Sequence, residues 1–88
     1  MKIKNGFVAR DIAGQCVVMA LGDASKIFNG IIKLNESGKF IWDMLVLEKT
    51  AEEIVDALVE EFDGVSREVA AVDVNDFIEK LMGANILE

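Results

Sequence analysis

Histidine and proline are both absent from this 88-residue chain, and cysteine occurs once. Without histidine the commonest general base and the commonest metal ligand are missing. No Ser-His, Cys-His or histidine-containing metal set can therefore be assembled. A single cysteine cannot close an intramolecular disulfide. Cys16, inside the run CVVMAL, reads as a small buried hydrophobe, and a reducing, cytoplasmic compartment is the expectation. CVVMAL is also the longest uninterrupted apolar run, far short of the roughly 20 residues that span a bilayer. The opening MKIKNGF lacks the apolar core of a secretory signal. No glycine-rich phosphate loop is present. Neither a cofactor, a metal nor a membrane is expected, and the absence of proline leaves long elements unbroken.

Basic charge is scarce where the chain is most helical. Residues 1–47 hold six Lys/Arg against four Asp/Glu, whereas residues 48–88 hold three against twelve, for a net charge of −7. The C-terminal half should repel a phosphate backbone. It either favours a basic partner or forms a solvated face that keeps the domain soluble, and the solvated face is the simpler reading. What the chain does have is apolar content: 52% of its residues are hydrophobic and 28% charged, enough for one domain with its own core.

The first third reads as strands. Phe7 to Ile12 is one candidate and Ala13-Gly14 breaks it; the β-branched, apolar Gln15 to Leu21 is a second. Gly22-Asp23 signals a turn. A third strand falls within Lys26 to Leu34, with Gly30 expected as a bulge; the rival is an Asn29-Gly30 hairpin turn between two very short strands. Alternation puts Phe28, Ile32 and Leu34 on one face and Asn29, Ile31 and Lys33 on the other. Apolar residues at both 31 and 32 give the second face, or the edge, a reason to be apolar.

Helices follow. Asn35 or Ser37 can cap the first, with Phe40, Ile41, Met44 and Leu45 at helical spacing and Trp42 widening the apolar arc. Thr50-Ala51-Glu52-Glu53 is a capping box. It opens a second helix striped by Ile54, Ala57, Leu58 and Phe62, with Val55 and Val59 at the margin, and Asp63-Gly64 ends it. Ser66 can cap the third, whose apolar face is Ala70, Val74, Phe77, Ile78 and Leu81. Gly83 ends it, and Ile86-Leu87 tuck back. Helix, tight turn and helix beside a small sheet is a winged helix-turn-helix pattern of the α+β class, with strands within 4–34 and helices within 35–83.

Four functions come into question on the residues alone. Glu52, Asp56 and Glu60 share a helical face, but a solvated stripe explains them better than an acid-base pair, so no enzyme is expected. A winged-helix DNA-binding regulator is the pattern's first rival, yet the third helix carries two basic and four acidic residues, a poor groove reader. An acyl carrier would need an aspartate directly before its serine, and Gly64-Val65-Ser66-Arg67 lacks it. A peptide-binding module remains: a three-stranded sheet has open edges, and an extended peptide can add to one. A purely structural docking domain of an enzyme complex is a further alternative, and an open edge leaves homodimerisation available.

The ordered set Leu34-Asn35-Glu36-Ser37, Phe40-Ile41-Trp42, Thr50-Ala51-Glu52-Glu53-Ile54, Leu58, Phe62, Asp73-Val74, Phe77-Ile78, Leu81 and Gly83-Ala84-Asn85-Ile86-Leu87 resembles the PqqD family, the RiPP recognition elements, where RiPPs are ribosomally made, later modified peptides. The resemblance covers nearly the whole chain. It implies three antiparallel strands followed by three helices. It also implies a non-catalytic chaperone that binds the leader segment of a precursor peptide and presents it to a modifying enzyme, often of the radical SAM class. The leader would add against the third strand beside the third helix. By position in that fold, Phe28, Ile31 and Lys33 of the strand and Val72, Asn75 and Asp76 of the helix would bind peptide, with Ala71 and Glu79 at the rim. Leu34, Trp42, Ile54, Leu58, Phe77 and Leu81 would serve as packing.

Overall fold

The computed structural model describes residues 2–26 and 30–88. A three-stranded antiparallel sheet leads into three helices. The strands are β1 (Phe7–Ile12), β2 (Gln15–Ala20) and β3 (Ile31–Leu34), in the order β1-β2-β3. The helices are α1 (Glu36–Val46), α2 (Ala51–Glu61) and α3 (Arg67–Gly83).

β1 and β2 form a two-residue hairpin, with Ile12 opposite Gln15. Ala13 and Gly14 between them both have positive φ, 51° and 81°. That is the type I′ geometry whose twist matches the flanking strands, and it is strained at alanine. Gly22–Lys26, expected as a simple turn running into a strand, instead forms a short 3₁₀ helix, and Lys26 belongs to it rather than to β3. Gly30 is a bend before Ile31. The residues that would form a bulge or a turn with it, 27–29, lie outside the described residues, as does Phe28.

The three helix starts follow their sequence signals. The side chains of Asn35, Thr50 and Ser66 accept from the backbone N–H of Gly38, Glu53 and Val69, and the Glu53 carboxylate accepts in return from the N–H of Thr50. The helix ends are less obvious. α1 and α3 each close on a left-handed residue that is not glycine, Glu48 (φ 59°) and Asn85 (φ 62°). Lys49 donates to the Met44 carbonyl and Ile86 to the Leu81 carbonyl, each the long bond of a Schellman motif. Gly83 is the last helical residue, and the reversal falls two residues later.

Alternation in the sheet turns Phe7, Cys16, Val18, Ile32 and Leu34 toward the helices. There they join Trp42, Leu45, Ile54, Leu58, Val74, Leu81 and Ile86 in one core. The edge-to-face pair Phe40–Phe62, with centroids 5.6 Å apart, closes the seam between α1 and the end of α2. Arg67 pairs with Asp56 across the α2–α3 turn. The tail returns as expected and does more than tuck in. Ile3 bridges Leu87, Lys4 donates to the Ile86 carbonyl, and Glu88 donates to the Lys2 carbonyl. Gly6 is required nearby, since a Cβ there would stand 2.7 Å from that of Ala24.

Candidate functional site

β3 is an edge strand. It pairs with β2 alone among the described residues, through Cys16↔Leu34, Val17↔Lys33, Val18↔Ile32 and Met19↔Ile31. One side of its backbone is therefore free to accept another strand. Burial along it alternates: Ile32 and Leu34 are 8% and 4% exposed, while Ile31 is 58% exposed and Lys33 is exposed too. For residues 31–34 the sequence-derived faces hold.

Where β3 ends, α1 begins at once. The Asn35 side chain caps the helix through Gly38 N–H at 2.8 Å and also accepts from the Ser37 hydroxyl. The Gln15 amide donates to the carbonyls of Leu34 and Cys16, tying the close of β3 to the opening of β2. Gly38 is buried, and a Cβ on it would meet Asn35 Oδ1 at 3.0 Å and Phe77 Cε1 at 3.5 Å. The bare backbone there lets the Phe77 ring of α3 come up against the first turn of α1.

Two adjoining cavities result. One, of about 410 Å³, is bounded by Gln15, Lys33, Leu34 and Lys80; the other, of about 250 Å³, by Ser37, Ile41, Asp73 and Asp76. Both share Asn35, Gly38, Phe77 and Lys80. Together they make a cleft between the end of β3, the start of α1 and one side of α3, with an aromatic floor and charged walls.

Of the residues expected at a peptide site, Lys33 and Asp76 line this cleft. Ile31 lies two residues up the same strand, on the solvent face. Val72, Asn75 and Glu79 are exposed on α3, and Ala71 is half-buried against the core; these four line neither cavity. Phe28 lies outside the described residues. Phe77, expected as packing, is only half-buried and lines both cavities. Leu34, Trp42, Ile54, Leu58 and Leu81 are buried as expected. Gln15, Asn35, Gly38 and Lys80 were missed. Gly38 carried a usable signal, since a glycine in the first turn of an otherwise apolar helix marks a close approach.

Cys16 is buried beneath this region. Removal from water, reinforced by the nearby Asp11 carboxylate, pushes its thiol pKa up and keeps it protonated. No group of His, Cys, Asp and Glu among the described residues could hold a metal ion. Among the described residues, no helix is long and apolar enough to cross a membrane.

Residues 15–87 match the family described as PqqD, Coenzyme PQQ synthesis protein D. Among solved structures, the chain is similar to "TbiB1 in Complex with the TbiA(beta) Leader Peptide". The two are 32% identical, with a TM-score of 0.79, over 100% of this chain and 95% of that one. It shares its fold with "Lasso peptide synthetase B1 complexed with the leader peptide", at 14% identity and a TM-score of 0.77, over 99% and 95% of the two chains. No curated protein matches it significantly.

Proposed function

The chain belongs to the PqqD family, and on that premise we propose that it binds the leader segment of a ribosomally made precursor peptide by strand addition to β3. It then presents that peptide to a modifying enzyme. One observation carries the reading: the free edge of β3 opens beside a cleft floored by Phe77, in a chain similar over its whole length to a protein solved with a leader peptide. Main-chain hydrogen bonds to β3 supply affinity that is indifferent to sequence. Guest side chains that point toward α3 meet Leu34, Gly38 and Phe77, with Lys33 and Lys80 on the cleft wall, and those that point the other way lie beside Ile31. Asp76 contributes from the helix. Val72, Asn75, Glu79 and Ala71, and Phe28 on the strand side, are proposed as the wider footprint.

The domain's own role is non-catalytic. The enzyme it serves is proposed to be of the radical SAM class, as the family resemblance implies, and a reducing cytoplasm is the compartment that suits it.

The test is titration of isotope-labelled protein with the leader of its precursor. Amide shifts concentrated in β3, the first turn of α1 and residues 73–80 are expected. Shifts confined to the α1–α2 surface around Met44 and Ala57, or none at saturating peptide, would overturn the proposal.

A further inference from the structure

The cleft is divided by charge. Its larger compartment is walled by Lys33 and Lys80 with no carboxylate among the described lining residues, whereas the smaller one lacks Lys33, shares Lys80 and adds Asp73 and Asp76. None of these four side chains is in an ion pair among the described residues; the described pairs join Lys26 to Asp23, Lys39 to Asp11 and Arg67 to Asp56. Two cations and two anions thus face a single groove without neutralising one another, and the half-buried Phe77 ring reaches both compartments.

From this we infer that the cleft selects peptides by charge order as well as by apolar content. The guest would carry an acidic side chain facing Lys33 and Lys80, a basic one facing Asp73 and Asp76, and a large apolar residue over Phe77. The inference rests on the strand-addition reading and adds the chemical class of the guest. Its spacing is that of a guest lying along α3. Asp76 and Asp73 precede Lys80 by four and seven residues, or about 6 and 10 Å at the helical rise. An extended guest advances about 3.3 Å per residue, so its opposite charges stand about two to three positions apart. Complementary charge of this kind fixes register, which backbone bonds alone leave free to slip.

The experiment selects peptides from a random twelve-residue displayed library against the full chain. The winners are then synthesised, their footprints mapped by amide shifts, and their affinities compared for wild type, the Lys33→Glu/Lys80→Glu variant and the Asp73→Lys/Asp76→Lys variant. Thermal melts confirm that the variants, changed only at exposed positions, stay folded. Peptides seated in the cleft are expected to share an acid and a base at that spacing around an apolar residue. Each double reversal should weaken them roughly fivefold at low salt and much less at high salt, as exposed ion pairs do. Cleft-seated peptides without a charge pattern, or affinities unchanged in both variants, would overturn the inference while leaving strand addition intact. Capture of no peptide, or footprints away from β3 and α3, would overturn strand addition and the inference with it.

Discussion

The Phe77 ring edge lies 3.5 Å from where a Cβ on Gly38 would stand. The side chain that gives the cleft its floor and the residue that leaves it room are thus a matched pair on two different helices. A methyl group at 38 also meets Asn35 Oδ1 at 3.0 Å, crowding the cap of α1. Gly38→Ala therefore sets a gain in helix propensity of roughly 1 kcal/mol against a disturbed cap of similar worth, and its melting temperature should move little. Gly38→Leu should fill the cleft mouth and cost peptide affinity on the order of tenfold, read by calorimetric titration.

Ile31→Glu should separate binding from folding. The residue is 58% exposed and faces Met19 across the sheet, so losing that cross-strand contact costs about 0.2–1 kcal/mol of stability. A charge beside the guest strand should still weaken leader binding, by roughly tenfold. Chemical denaturation alongside peptide titration checks both halves. A variant that unfolds, or one that binds peptide normally, would contradict the placement of Ile31.

Ala13 holds a left-handed conformation in a two-residue turn, where alanine pays for a Cβ that glycine lacks. Ala13→Gly should stabilise the domain by about 1 kcal/mol, raising its melting temperature by several degrees. Peptide affinity should be unchanged, because residue 13 lines neither cavity of the cleft.

The capping box of α2 should be visible in the acid limb of stability. Hydrogen bonds from Thr50, its backbone N–H first, hold the Glu53 carboxyl below its ordinary pKa. Because the folded value is the depressed one, the contribution is present above the unfolded glutamate pKa and fades as pH falls through the folded one. Glu53→Gln, which removes the titrating carboxylate, should show a shallower loss of stability on acidification. Urea melts of both proteins across the acid range give the comparison. Equal acid slopes would contradict the assignment.

Much of the fold was legible because its signals are local. β1 has the bounds expected from Phe7 to Ile12, the Thr50–Glu53 box and the Asn35 and Ser66 caps each lie within four residues, and the stripe of α3 is carried by Ala70, Val74, Ile78 and Leu81. The 3₁₀ helix at Gly22–Lys26 was not legible, because a glycine-aspartate pair announces a turn without saying how far it continues. The Lys2–Lys4 clasp on Ile86–Glu88 was hidden for the opposite reason: its partners are more than 80 residues apart and meet through backbone atoms, which no side-chain pattern records. The cleft was only half legible. Lys33 and Asp76 are expected only through the family resemblance, by position in its fold, and both line the cleft. The spacing of Phe77 is that of the buried stripe and predicts core. In the structure its ring is only half-buried and borders both cavities.

Hydrogen exchange at the amides of Ile31 to Leu34, with and without saturating leader peptide, tests the central claim most directly. β3 has a strand on one side only among the described residues, so the amides that point to its free edge exchange from an unpaired state. Strand addition predicts that these amides become protected on binding while the neighbouring amides, already bonded to β2, change far less. Exchange that stays the same along β3 with peptide fully bound would show that the guest is held elsewhere.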